Sequence, residues 1–199
     1  VKPIHKMTGE AGFNEVFLDN VVIADHMRID EVGLGWKVAM STLTSERGAA
    51  QGVGAVASSN SPFAAIESLI ELAKRKTRNG KPMWDDSLWS DKLVKLYERT
   101  EAAAQNARRT RINALNGGAM RIPLQGKVTG TELGQELHQL ALSMLGMESS
   151  LYIGDPNAEN DGSWLLGYMN TYTGTISGGS SEIQRNILGE RVLGLPKSK

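Results

Sequence analysis

The chain has no cysteine, which excludes disulfide bridges and thiolate metal sites and fits a reducing compartment without demanding one. It also lacks an excess of either charge. Lys plus Arg and Asp plus Glu both number 22, so neither a nucleic-acid nor an acidic-membrane footprint is visible, and weak colloidal repulsion suits a subunit that associates. The histidines, His5, His26 and His138, are scattered without a spacing that would make a metal face. No apolar run approaches the roughly 20 residues of a membrane span, and no signal-peptide pattern occurs. A soluble, cytoplasmic protein without nucleic-acid or membrane partners is the default expectation. No internal repeat or low-complexity segment is present.

What remains is 199 residues with 40% hydrophobic content, enough for one large domain plus a small appendage. Gly12 to Val22 is rich in Val and Phe and reads as strand, with Asp19-Asn20 marking a turn between two short strands. This is too little sheet to stand alone, and an abrupt start at Val1 in what reads as strand suggests a piece of a longer protein. From Gly35 to about Ser59 the apolar spacing turns helical. Asn60-Ser61-Pro62 stops that helix and starts another, which runs from Phe63 to the basic cluster Lys74-Arg75-Lys76-Thr77-Arg78 before Asn79-Gly80. Basic residues in a last turn complement the helix dipole, so this cluster is first of all a solvated helix end. Long helices over Leu88 to about Gly117 and Pro123 to about Gly146 follow, then a polar loop and a shorter apolar helix over Trp164 to Tyr172. Four long helices on short loops predict an antiparallel bundle.

The richest stretch lies near the C-terminus, from Gly174 to Pro196. Gly178 and Gly179 let the backbone approach something bulky, Ser180 or Ser181 can cap a helix, and Glu182 favours its first turn. Such a turn can present amides to an anion, although glycine-rich helix starts are also ordinary corners between helices.

The run Gly178-Gly179-Ser180-Ser181-Glu182-Ile183-Gln184-Arg185-Asn186-Ile187-Leu188-Gly189-Glu190-Arg191-Val192-Leu193-Gly194-Leu195-Pro196 resembles, almost residue for residue, the closing helix of the acyl-CoA dehydrogenases. Phe13 to Val21 and Gly35-Trp36-Lys37-Val38-Ala39-Met40 resemble that family's last β-domain strands and the first helix of its C-terminal domain. The resemblance implies a mainly α fold. Residues 1–34 would end a middle β-domain, and 35–199 would form a four-helix-bundle C-terminal domain that makes a homodimer or homotetramer.

It also implies FAD, an acyl-CoA substrate and a flavin electron acceptor. In this chemistry a carboxylate takes the α proton and the β hydrogen leaves as hydride. In many members the base lies in the glycine turn, at the position that is Gly178 here, and glycine cannot be a base. Another branch carries it in a Glu-Arg pair on the first long helix, where Glu46-Arg47 stands. Glu46 is thus the expected base, with Arg47 orienting the helix or the coenzyme A end, while Gly178 widens the slot for a branched or bulky acyl group.

The family's flavin-contacting Thr-x-Gln corresponds to Ser180 and Glu182. Its Arg-x-x-Phe-Gly turn is altered at Lys76 and Asn79, and its Gln-x-x-Gly-Gly segment at Ser143 and Met147, leaving Arg78 or Arg75 to reach a phosphate. Two alternatives stay open: a catalytically silent assembly subunit, or a flavin oxidase of the same fold. The resemblance further implies that this piece alone is inactive and retains flavin weakly.

Overall fold

The computed structural model describes residues 1–49, 62–109, 112 and 121–197, without the side chains of residues 44–49, 63 and 121–123. The chain divides into two compact units, Val1–Ala50 and Gln51–Lys199. Among the described residues, no helix is long and apolar enough to cross a membrane.

The first unit opens with β1 (Lys2–Ile4) paired antiparallel to β2 (Phe13–Glu15), with Lys2 opposite Glu15 and Ile4 opposite Phe13. The connection is tied by polar contacts. Lys6 bonds Glu10 at 2.8 Å, the buried Thr8 hydroxyl donates to the same carboxylate, and Gly9 takes φ +77. Helix α1 (Gly35–Ala49) ends the unit.

This β region departs from the sequence expectation. Asn20 does turn, at φ +48, but within Gly12 to Val22 only Phe13–Glu15 is strand, and none follows the turn among the described residues of this unit. A strand needs a neighbour for its backbone groups. Among the described residues of this unit only Lys2–Ile4 provides one, and it takes Phe13–Glu15.

In the second unit, α2 (Pro62–Arg75) begins on a proline whose missing N–H is unneeded there. Asn79-Gly80, at φ +53 and +78, forms the two-residue turn of a minimal hairpin, β3 (Thr77–Arg78) to β4 (Lys81–Pro82). The Asp86 carboxylate then accepts from the Leu88 N–H and starts α3 (Ser87–Arg109). Helix α4 (Arg121–Leu145) is followed by α5 (Ser163–Ile176), and α6 (Ser181–Ile187) runs on into a π-helical turn over Leu188–Val192.

Helix α4 is the hub, packing on α2, α3, α5 and α6. Its inward residues Leu133, Leu137, Leu140 and Met144 alternate steps of four and three, as do Trp89, Leu93 and Leu96 on α3. That spacing keeps one stripe aimed at the neighbouring helices. Leu69, Leu72 and Ala73 from α2 and Trp164 from α5 complete the core.

Candidate functional site

The glycine turn joins α5 to α6. Helix α5 closes with the Ser177 N–H on the Thr173 carbonyl at 2.8 Å. Two left-handed residues follow, Gly178 at φ +66 and Gly179 at φ +94. Ser180 is the N-cap of α6, its hydroxyl oxygen accepting from the Ile183 N–H at 3.4 Å. The same hydroxyl donates to the Glu182 carboxylate, which also meets its own backbone N–H. These bonds, then the charges of Arg185 and Lys127, hold Glu182 below the usual glutamate range, so it is an anion at the helix start.

Two side chains latch this turn to the rest of the unit. Gln184, 1% exposed, donates its Nε2 to the Gly178 carbonyl at 2.6 Å. Lys127 of α4 donates its Nζ to the Gly179 carbonyl, also at 2.6 Å. Burial pushes the Lys127 ammonium down from its ordinary value, partly opposed by Glu132 and Glu182. Nearby, Arg185 of α6 bonds Glu132 of α4 at 2.6 Å. Among the described residues, the Gln184 Oε1 and Ser181 Oγ atoms are buried without a hydrogen-bond partner. Each such orphan costs about 1–3 kcal/mol.

The two glycines differ in their surroundings. A Cβ at Gly179 would lie 2.7 Å from Gln184 Nε2, whereas one at Gly178 would meet nothing within 4 Å among the described residues. The peptide units here are also polarised. A trans peptide points its N–H opposite its C=O, so tying the Gly178 and Gly179 carbonyls inward turns the Gly179 and Ser180 N–H groups the other way. Neither N–H has an acceptor among the described residues.

Of the residues singled out in the sequence, the structure brings Gly178, Ser180 and Glu182 together. Arg75 and Arg78 lie elsewhere. Arg75 ends α2 and bonds Glu159 at 3.0 Å, and the Arg78 guanidinium stands 5.6 Å from the Trp89 ring centre. Between them, Lys76 bonds Glu148 and lies 3.4 Å from Glu159. Glu148 sits just beyond the C-terminal end of α4 and Lys127 in its first turns, so at 1.5 Å per residue the two places are roughly 30 Å apart. Glu46 and Arg47 fall in the last turns of α1, and their side chains lie outside the described residues.

Lys127 and Gln184 were not visible as site residues in the sequence. Gln184 sits in the helical run after the turn, and Lys127 reaches the turn across 52 positions of chain. Neither carries a local spacing that separates it from an ordinary surface residue.

Residues 33–193 match the family described as the acyl-CoA dehydrogenase C-terminal domain. The chain is 34% identical over 200 residues to the acyl-CoA dehydrogenase IpdE1 of Mycobacterium tuberculosis, covering 99% of this chain and 48% of that protein. It is 28% identical to the acyl-CoA dehydrogenase FadE34 of the same organism, covering 99% of this chain and 25% of that one.

Among solved structures, the ChsE4-ChsE5 complex from Mycobacterium tuberculosis matches with a TM-score of 0.77 at 25% identity, over 100% of this chain and 49% of that chain. The structure titled Tcur3481-Tcur3483 steroid ACAD matches with a TM-score of 0.78 at 21% identity, over 99% and 49%, a likeness of fold. The chain thus spans about half the length of IpdE1 and of these structures, and a quarter of FadE34.

Proposed function

The chain belongs to the acyl-CoA dehydrogenase family, of which it carries the C-terminal helical domain, and from that membership we propose that it is the C-terminal portion of an FAD-dependent enzyme desaturating an acyl-CoA thioester between the α and β carbons. The observation that carries the reading is the open position at Gly178, beside a latched turn that presents two backbone N–H groups and a carboxylate. That donor and acceptor set fits the dinucleotide. The Gly179 and Ser180 N–H groups suit oxygens, and the ionised Glu182 suits a sugar hydroxyl rather than a phosphate. The Ser180 hydroxyl is already engaged with Ile183 and Glu182. FAD, when bound, supplies the acceptor for the β hydride.

The remaining chemistry falls to the protein. Gly178 has no side chain, so the α proton passes to Glu46 on α1, with Arg47 beside it to orient the helix or the coenzyme A end. A base beside an apolar slot is desolvated, which raises its affinity for the proton it must take. The open position at Gly178 suits a branched or bulky acyl group. Residues 1–34 belong in this proposal to a middle β-domain and 35–199 to the helical domain, which associates with further copies as a dimer or tetramer or with a related subunit, as ChsE4 and ChsE5 do in the matched complex.

A second reading, the silent assembly subunit, draws on the basic cluster. Arg75 and Lys76 are paired with Glu159 and Glu148 of the same chain, and Arg78 is drawn to Trp89. Substituting Glu46→Gln in the full-length protein separates the two. Loss of about 10²- to 10⁴-fold in kcat with flavin content unchanged is expected for the base. Undiminished dehydrogenation across an acyl-CoA panel would remove Glu46 from the role. A full-length protein that takes up no flavin even when FAD is added would favour the silent subunit.

A further inference from the structure

We infer that Lys127 and Gln184 are positioning residues that together set the orientation of the Gly178 and Gly179 peptide planes, an assignment whose consequence for catalysis rests on the dehydrogenase reading. Two consecutive carbonyls are each held from outside the turn, Gly178 by Gln184 Nε2 and Gly179 by Lys127 Nζ, both at 2.6 Å. The Gln184 amide has one orientation open to it. A carbonyl only accepts, so the NH2 end must face Gly178, whichever way an amide is first drawn.

The side chain cannot swing off the turn either, because it is 1% exposed and lies where a Gly179 Cβ would be. Lys127 is an ammonium partly withdrawn from water, and its bond is charge-assisted. The two donors come from different elements, α6 and α4, so the turn is referenced to the hub helix as well as to the helix it starts. Glycine has no side chain of its own to fix a left-handed peptide. Here the latch does that work, and the Gly179 and Ser180 N–H groups are aimed as a result.

Lys127→Met removes one donor while keeping the stem, Gln184→Met removes the other at similar length, and Lys127→Arg retains a donor. The test uses full-length protein and two readouts. Amide hydrogen exchange over residues 177–184, measured without substrate, should rise about tenfold in both Met variants, the effect of losing one strong hydrogen bond, while the core of α4 exchanges as before. Lys127→Arg should stay close to the parent.

In turnover, both Met variants should lose kcat by about tenfold at near-constant KM and flavin content, because the turn is misaligned rather than emptied. Unchanged exchange over the turn, or a rise shared equally by the whole of α4 and α5, would overturn the assignment. The exchange result needs neither flavin nor substrate. If the full-length parent proves inactive while the turn still loosens in both Met variants, it is the dehydrogenase reading that fails and the latch that stands.

Discussion

His138 of α4 lies with its Nδ1 2.8 Å from the Gly134 carbonyl and its ring edge-on to Trp164, centroids 5.6 Å apart. Because a carbonyl accepts, Nδ1 carries the proton and Nε2 the lone pair in the neutral ring. Burial lowers the His138 pKa, only partly opposed by the Gly134 bond. The unfolded chain therefore binds the proton more readily than the folded one. Stability from this group is full above the ordinary histidine value and is lost as pH falls through that value toward the lower folded pKa. Urea midpoints measured from about pH 8 down to about pH 5 should decline, and His138→Gln should flatten the decline. An identical slope in the variant would assign it to other groups. Sequence could not have supplied this, since His138 reads there as one of three scattered histidines and its environment comes from a helix some 26 positions on.

At the level of elements, the approach of α5 to α4 hangs on Gly167. A Cβ there would fall 2.4 Å from His138 Nε2 and 2.6 Å from Cδ2. An exposed mid-helix glycine gains roughly 1 kcal/mol on becoming alanine, but overpacking costs about 1–3 kcal/mol, and a ring held by Gly134 and Trp164 has little room to yield. Gly167→Ala should therefore destabilise by about 1–2 kcal/mol net, read from chemical unfolding; a stabilised variant would mean that the helices slide apart freely. The helices themselves were legible, because steps of three and four persist along Leu93, Leu96 and along Leu133, Leu137, Leu140, Met144. Their ends were less so. Asn79-Gly80 read as a helix stop and proves also to be a hairpin turn, since Lys81-Pro82 folds back on Thr77-Arg78. The extended region was legible in its strand at Phe13–Glu15 but not in its pairing. Alternation along Gly12 to Val22 resembled strand, but pairing is a property of two segments, and the segment opposite Phe13–Glu15 was not the one after Asn20.

Taken as a whole, the molecule buries its apolar residues unevenly. Among the described residues the core draws only on the second unit, while in the first Phe17 is 60% exposed, Val22 94% and Trp36 77%. Burying one such side chain contributes about 1.5–3 kcal/mol, so the first unit holds together through β1–β2 and local ion pairs, each of small worth when solvated. In this chain alone, amides of residues 2–15 should exchange close to unprotected rates while those of Leu69, Leu93 and Leu137 exchange only on global opening. Equal protection in both places would show a shared cooperative unit. The glycine turn was the part of the candidate site most open to reading, because its residue types are themselves the cause of its shape. Glu46 was placed by resemblance to a family and not by any pattern of its own.

The inequality between Gly178 and Gly179 also bears on how this surface can change over generations. A side chain arising at 179 presses on the Gln184 amide that holds the turn and works against the latch, and the left-handed backbone, φ +94, adds strain. At 178 the described residues leave the space open but the backbone is left-handed, φ +66, and the residues that enter that conformation most readily after glycine are asparagine and aspartate. Drift at this corner is thus channelled toward short polar groups. The carboxylate of an aspartate is among the first chemical functions such a lineage could acquire there.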